Sequence, residues 1–152
     1  MPQLKRILLV EDDPNDIELI ITGLAENNLA NEVVAVHDGA EALDYLYSRE
    51  KFANRTDGYP AIVLLDLKLP KIDGREVLRQ IRNDLKLRCI PVVILTSSKE
   101  DRDIVEGYNL GANGYVVKPV DFHQFVDAIK LLGVYWAIVN EPPPGSVCRQ
   151  AR

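Results

Sequence analysis

The sequence predicts an α/β fold with one doubly wound, five-stranded parallel sheet. Five short apolar runs alternate along the chain with stretches whose apolar residues recur at helical spacing. The runs do not alternate apolar with polar residues, which is typical of strands that helices cover on both faces. The length of 152 residues, with 47% hydrophobic and 27% charged residues, fits one globular domain.

The first half of the chain contains two strand–helix units and a loop. Residues 7–10 are apolar without interruption and predict the first strand. Apolar side chains three and four positions apart predict a helix over 16–26. Residues 33–36 repeat the strand pattern, and residues 40–47 repeat the helical one. The polar stretch 48–60 contains Asn, Asp, Gly and Pro and predicts a loop, which is long enough to be functional.

The second half continues the same alternation. Pro91 precedes the fourth strand, and Gly111 ends the fourth helix. The predicted strands are 62–65, 92–95 and 115–117, and the predicted helices are 76–81, 101–110 and 122–139. We therefore expect one domain over residues 1–140 with an extended last helix. Three consecutive prolines at 142–144 predict a flexible tail over 141–152.

Polar residues follow four of the five predicted strands, where the active crevice of such sheets lies. They are Glu11, Asp12, Asp66, Thr96 and Lys118. Two carboxylates about 5 Å apart repel by roughly 3 kcal/mol at an effective dielectric near 20, so the cluster favours a bound cation. An all-oxygen site suits Mg²⁺. Zinc is disfavoured because the two histidines lie elsewhere, and the acidic stretch lacks the glycine and closing glutamate of a calcium loop.

These groups predict phosphoryl transfer onto a carboxylate. Asp66 is the candidate nucleophile, because it ends an apolar strand and an aspartate is ionised at neutral pH. Lys118 offers a cation, and Thr96 a hydroxyl donor, to phosphoryl oxygens. The net charge of −5 argues against a nucleic-acid surface, and no run of 18 apolar residues indicates a membrane span. We expect a cytoplasmic protein.

The pattern resembles the receiver domain of two-component response regulators. The segments that carry it are ILLVEDD at 7–13, LLDLKLP at 64–70, DG at 73–74, LTSS at 95–98, GA at 111–112 and YVVKP at 115–119. The resemblance implies a flavodoxin-like (βα)5 fold and a phosphoprotein that receives phosphate from the phosphohistidine of a sensor kinase. It also implies signalling rather than conventional enzymatic turnover. Two outputs stay open: onward transfer to a histidine phosphotransfer protein, and binding of a target by the phosphorylated surface.

The same resemblance assigns roles to individual residues. Asp66 accepts the phosphoryl group, and Asp12 and Asp66 bind Mg²⁺, or Mn²⁺ as a substitute, directly. Glu11 binds the metal through water, and Lys68 through its backbone carbonyl. Lys118 pairs with the phosphoryl group. A further implication is a cis bond between Lys118 and residue 119, a form found in only about 5–6% of X–Pro bonds.

A switch is also implied, in which Thr96 moves toward the phosphoryl group and Tyr115 turns inward behind it. The alternative for Tyr115 is a strand-end aromatic that simply packs on the fourth helix.

The apolar end of the last helix predicts a homodimer. Residues 131–139 are apolar on every side, and a helix over 121–139 is about 28 Å long, whereas a five-residue strand spans only about 17 Å. Candidate anchors are Phe125, Tyr135, Trp136 and Ile138. The alternative is that the tail folds back over this surface. Together with the loop at 48–60, this end resembles receivers paired with phytochrome kinases, which dimerise through the fourth helix, fifth strand and fifth helix.

Three other classes compete with the receiver. A phosphatase of the haloacid-dehalogenase type needs a second acid two residues after the nucleophile, where this chain has Lys68. A dinucleotide-binding domain needs a glycine-rich first turn, where this chain has Glu11 and Asp12. A structural dimeric module with an inert acidic site stays open. Because few residues follow the last predicted helix, we do not expect a DNA-binding transcription factor.

Overall fold

The computed structural model describes residues 6–26, 28–29, 32–56, 58–118 and 121–141. It contains one parallel sheet with strand order β2-β1-β3-β4-β5. The strands are β1 Ile7–Val10, β2 Val33–Val36, β3 Ile62–Leu65, β4 Val92–Thr96 and β5 Gly114–Val117. The helices are α1 Pro14–Ala25, α2 Gly39–Leu46, α3 Gly74–Asn83, α4 Asp101–Asn109 and α5 Phe122–Gly133. The predicted α/β architecture is confirmed.

Two apolar cores lie on opposite faces of the sheet. Leu8 and Val10 of β1 belong to one core, which contains side chains of α2 and α3. Ile7 and Leu9 belong to the other, with side chains of α1 and α5. Successive strand residues point to opposite faces, so a strand covered on both faces must be apolar throughout. This explains the unbroken apolar runs in the sequence.

Aspartates start four of the five helices. Each accepts a hydrogen bond from a backbone N–H in the first turn, which satisfies a donor that the helix itself cannot pair. These N-caps are Asp13, Asp38, Asp73 and Asp121. The first cap, Asp13, follows Glu11 and Asp12 directly, so part of the acidic run after β1 is explained by capping of α1.

Most predicted helices and strands begin or end one or two residues from their observed bounds, and two predicted segments differ in the kind of structure they form. The segment predicted as a loop over 48–60 contains a 3-10 turn, Glu50–Phe52, and the ring of Phe52 packs edge-on against Tyr45 at 5.1 Å. The last predicted helix ends its α-helical part at Gly133 and continues as a π-helix, Val134–Val139. In the described part of the chain, no helix combines the length and apolarity that crossing a membrane requires. The predicted tail beyond residue 141 lies outside the described residues.

Candidate functional site

Three carboxylates converge at the carboxyl ends of β1 and β3. These strands are neighbours, with Val10 opposite Leu65, so the residues that follow them lie side by side. The N–H of Asp66 donates to the carbonyl of Val10 at 3.0 Å. One carboxylate oxygen from each of Glu11, Asp12 and Asp66 lies within 4.8 Å of the other two. The structure thus brings together the acids that the sequence placed at this edge.

The carboxylates of this cluster repel one another in a poorly solvated place. Glu11 is 1% exposed and Asp66 is 8% exposed, whereas Asp12 faces solvent. At 4.8 Å, two such charges repel by about 3 kcal/mol at an effective dielectric near 20. The pKa of Glu11 is raised to about 7, because burial, the largest cause, and the negative charge of Asp66 outweigh the opposing effect of the hydrogen bond from Lys118. Three hard oxygen donors at this spacing fit Mg²⁺ or Mn²⁺.

Lys118, which follows β5, reaches into the cluster. Its Nζ lies 2.6 Å from Glu11 Oε2, 2.8 Å from Asp16 Oδ2 and 3.2 Å from Asp66 Oδ2. Burial alone lowers the pKa of the ammonium, but hydrogen bonds to Asp16 and Glu11 and the charge of Asp66 outweigh it and raise the pKa above its usual value. Sequence reasoning missed Asp16. Its position in the first turn of α1, next to the first acidic strand end, is the signal that could have indicated it.

Thr96 stands at the end of β4, between the strands that carry Asp66 and Lys118. It is 1% exposed, and its carbonyl accepts a hydrogen bond from the Lys118 backbone at 2.7 Å. Residue 119 lies outside the described part of the chain, so the implied cis bond that follows Lys118 falls there too.

The turn after Asp66 is closely packed. The N–H of Lys68 donates to Asp66 Oδ1 at 3.2 Å, while the Lys68 side chain is exposed. The N–H of Gly74 donates to the carbonyl of Leu67 at 2.9 Å. A Cβ on Gly74 would lie only 2.1 Å from the carbonyl oxygen of Asp66. The start of α3 therefore presses directly on the backbone of the candidate nucleophile.

A second polar network connects β5, α4 and α3. The hydroxyl of Tyr115 donates to the carbonyl of Ser98 at 2.9 Å, and the Ser98 hydroxyl donates to Asp103. Arg75 of α3 pairs with Asp103 at 3.1 Å and also with Glu106. The Tyr115 ring is half-buried and lies beside Gly107 of α4. Tyr115 thus packs on α4 and is hydrogen-bonded to the loop that follows Thr96's strand.

The four candidate dimer anchors have different surroundings. Phe125 is 3% exposed and belongs to the core shared with α1, so its prediction as a surface anchor is wrong: the inward face of α5 holds it. Trp136 is half-buried against the same core. Tyr135 is 50% exposed and meets the Trp136 ring edge-on at 5.0 Å. The side chain of Ile138 lies outside the described residues.

Comparison with known proteins gives consistent results. Residues 7–130 match the family of the response regulator receiver domain. The chain is 41% identical to the phosphorylated cyanobacterial phytochrome response regulator RcpA, with a TM-score of 0.86, covering 93% of this chain and 99% of that one. It is 58% identical to the bacteriophytochrome response regulator RtBRR, with a TM-score of 0.74, covering 96% of this chain and 88% of that one.

A third relative is the response regulator Rcp1 of Synechocystis sp. The two sequences are 35% identical over 132 residues, which are 87% of this chain and 88% of Rcp1. A crystal structure of the Mn²⁺-bound form of Rcp1 superposes with a TM-score of 0.85 at 34% identity, covering 92% of this chain and 99% of that one.

Proposed function

The chain belongs to the response regulator receiver domain family, and from that membership we propose that it accepts a phosphoryl group on Asp66 from a phytochrome-type sensor histidine kinase. It is homologous to phytochrome-associated response regulators, as the sequence predicted. Receiver domains are signalling partners of sensor kinases rather than conventional enzymes. The observation that carries the proposal is the position of the Lys118 ammonium, 3.2 Å from a carboxylate oxygen of Asp66 and against the acidic cluster.

The transfer needs a nucleophile and a charged setting rather than a general base. A carboxylate oxygen of Asp66 donates an electron pair to the phosphorus of the phosphohistidine. The phosphorus–nitrogen bond breaks as the new phosphorus–oxygen bond forms, and its electron pair returns to the imidazole nitrogen. Lys118 donates to a phosphoryl oxygen, and Thr96 provides a hydroxyl donor after it moves toward the group. Positioning supplies most of the rate in such transfers.

We assign the metal ligands from the same cluster. Asp12 and Asp66 are proposed to bind Mg²⁺ directly, Glu11 through water and Lys68 through its backbone carbonyl. When bound, the cation neutralises charge on the carboxylates and on the transferred group. The donor set supports this assignment, and so does the existence of a Mn²⁺-bound structure of the relative Rcp1.

The response to phosphorylation is proposed to pass through Thr96 and Tyr115. The hydroxyl contact of Tyr115 with Ser98 ties β5 to the loop after β4, so a shift of Thr96 would be transmitted to Tyr115. The alternative, in which Tyr115 is only a packing residue on α4, predicts no change at Tyr115 after phosphorylation.

A homodimer through α4, β5 and α5 is the proposed assembly. Large apolar side chains are exposed on α4, on α5 and on the π-helix that follows α5. They are Val105 and Tyr108 on α4, Leu131 on α5, and Tyr135 and Val139 on the π-helix. The last three are spaced four residues apart and form one ridge. Trp136 and Ile138 stay candidate anchors beside it, and Phe125 does not. The proposed setting is the cytoplasm, and the proposed downstream partners are a phosphotransfer protein or a target bound by the phosphorylated surface.

Intact-mass measurement tests the proposal. The chain is incubated with phosphoramidate and Mg²⁺, beside Asp66→Asn, a chelated sample, and Asp127→Asn as a control that removes an exposed acid of α5. We expect one added phosphoryl group in the unmodified chain and in the control only. The absence of any gain in mass would refute the proposal and leave the structural dimer with an inert acidic site as the best explanation.

A further inference from the structure

Asp16 is the carboxylate at this site that the proposed chemistry does not use. It lies in the first turn of α1, 102 residues from Lys118 in sequence, and its Oδ2 is 2.8 Å from the Lys118 Nζ. An acid in the first turn stabilises a helix through the helix dipole alone. That effect acts along its own helix and does not require contact with a half-buried lysine of a distant segment, so the ion pair needs a further explanation.

Lys118 has as many carboxylate partners as it has N–H donors. An ammonium carries three donors, and the three oxygens of Glu11, Asp16 and Asp66 lie within 3.2 Å of it. A phosphoryl oxygen on Asp66 can therefore be bound by Lys118 only if one of these contacts lengthens. Asp16 has the most exposed side chain of the three, at 24%. It therefore loses the least free energy when water replaces the ammonium as its partner.

Asp16 also differs from the other two partners in its relation to the metal. Among the described residues, the group that could hold an ion consists of Glu11, Asp12 and Asp66, and Asp16 is not part of it. Asp16 is thus the partner of Lys118 that stays free of the cation when the cluster is filled.

From these contacts we propose that Asp16 is a positioning residue, which anchors Lys118 and competes with the phosphoryl group for its donors. This inference rests on the proposed phosphorylation of Asp66. Removing the charge of Asp16 frees one donor of Lys118 for the incoming phosphoryl group. That group is bound in both the ground state and the transition state, so the change affects binding rather than the maximal rate.

The test measures Asp66 phosphorylation at a series of phosphoramidate concentrations. In Asp16→Asn we expect KM to fall by about three- to fivefold, the order of one partly exposed charge contact, with the maximal rate changed by less than about twofold. Asp16→Glu keeps the charge and should restore a KM closer to that of the unmodified chain. Glu18→Gln is the matched control, because it removes an exposed charge two residues along α1, and its KM should stay unchanged.

A second measurement follows Lys118 itself and does not need phosphorylation. The rate at which acetic anhydride acylates Lys118, resolved by peptide mass spectrometry, should rise several-fold in Asp16→Asn and not in Glu18→Gln, since the amine loses the most exposed of its three carboxylate partners. If the unmodified chain is phosphorylated normally, and Asp16→Asn has the same KM and the same acylation rate, then the role proposed for Asp16 is wrong while the proposed function stands. If the unmodified chain is not phosphorylated at all, the proposed function is wrong, and so is the proposed competition between Asp16 and the phosphoryl group.

Discussion

Replacing Gly74 by alanine tests how closely the start of α3 controls the backbone of Asp66. The added Cβ would lie 2.1 Å from the carbonyl oxygen of Asp66 and 2.8 Å from the Cα of Leu67. Both contacts are with backbone, which cannot rotate away as a side chain can. The closest comfortable carbon–oxygen contact is about 3.3 Å, so the two segments must separate by roughly 1.2 Å.

That displacement has a cost in stability and in rate. Overpacking of this kind destabilises by about 1–3 kcal/mol, and the upper end applies when the clash is with backbone. For a chain of this length, ~3 kcal/mol lowers Tm by about 6–12 °C. A misplacement of about 1 Å near reacting atoms slows a reaction by about a hundredfold. We therefore expect Gly74→Ala to lower Tm and to slow phosphorylation of Asp66 by about one to two orders of magnitude.

Thermal denaturation and the rate of mass gain with phosphoramidate measure the two effects. Gly114→Ala is the matched control, because its Cβ would meet only the Val93 side chain, at 3.4 Å from Cγ2 and 3.7 Å from Cγ1. The control should keep both Tm and rate. If Gly74→Ala phosphorylates at the rate of Gly114→Ala, the reasoning that α3 positions the nucleophile is wrong.

Three further predictions follow from other contacts. Mg²⁺ at about ten times its Kd should raise Tm by about 3–6 °C, because the cation relieves repulsion in the acidic cluster. A chelator or Asp12→Asn should remove this gain in Tm. An equal gain in Asp12→Asn would contradict the assigned metal site. Tyr115→Phe loses the 2.9 Å bond to Ser98 and should cost about 0.5–1.5 kcal/mol of unfolding free energy in urea denaturation; an unchanged midpoint would mean that water replaces the bond. Leu131→Glu should shift the proposed dimer toward monomer in sedimentation. Leu85→Glu, at a similarly exposed residue outside the proposed interface, should not. The same shift in both variants would argue against the ridge as the dimer interface.

Much of the site could be predicted because it depends on local pattern and on one rule of topology. The strands are largely apolar, and Glu11, Asp12, Asp66, Thr96 and Lys118 lie at or just after the carboxyl end of a strand. The carboxyl ends of parallel strands share one edge of the sheet, so order along the chain is enough to bring Glu11, Asp12 and Asp66 together. The position of Lys118 beside them follows from the same rule.

The contacts that the sequence did not reveal join elements that are far apart in the chain. Helical periodicity placed Phe125 on an apolar helix, but packing against α1 turned its ring into the core rather than to the surface. At Gly133, where the π-helix follows α5, the chain packs so closely on α1 that a Cβ would lie 2.3 Å from the Leu24 side chain, a contact that the sequence pattern does not indicate.

The sequence by itself determined the fold class, the acidic edge and the candidate nucleophile, because periodicity and strand order are properties of the chain. Only the tertiary structure decided that Asp16 holds Lys118 and that Gly74 presses on the backbone of Asp66. Such contacts depend on how far a helix slides and rotates on the sheet. That geometry results from the packing of all side chains at once, and no single segment encodes it.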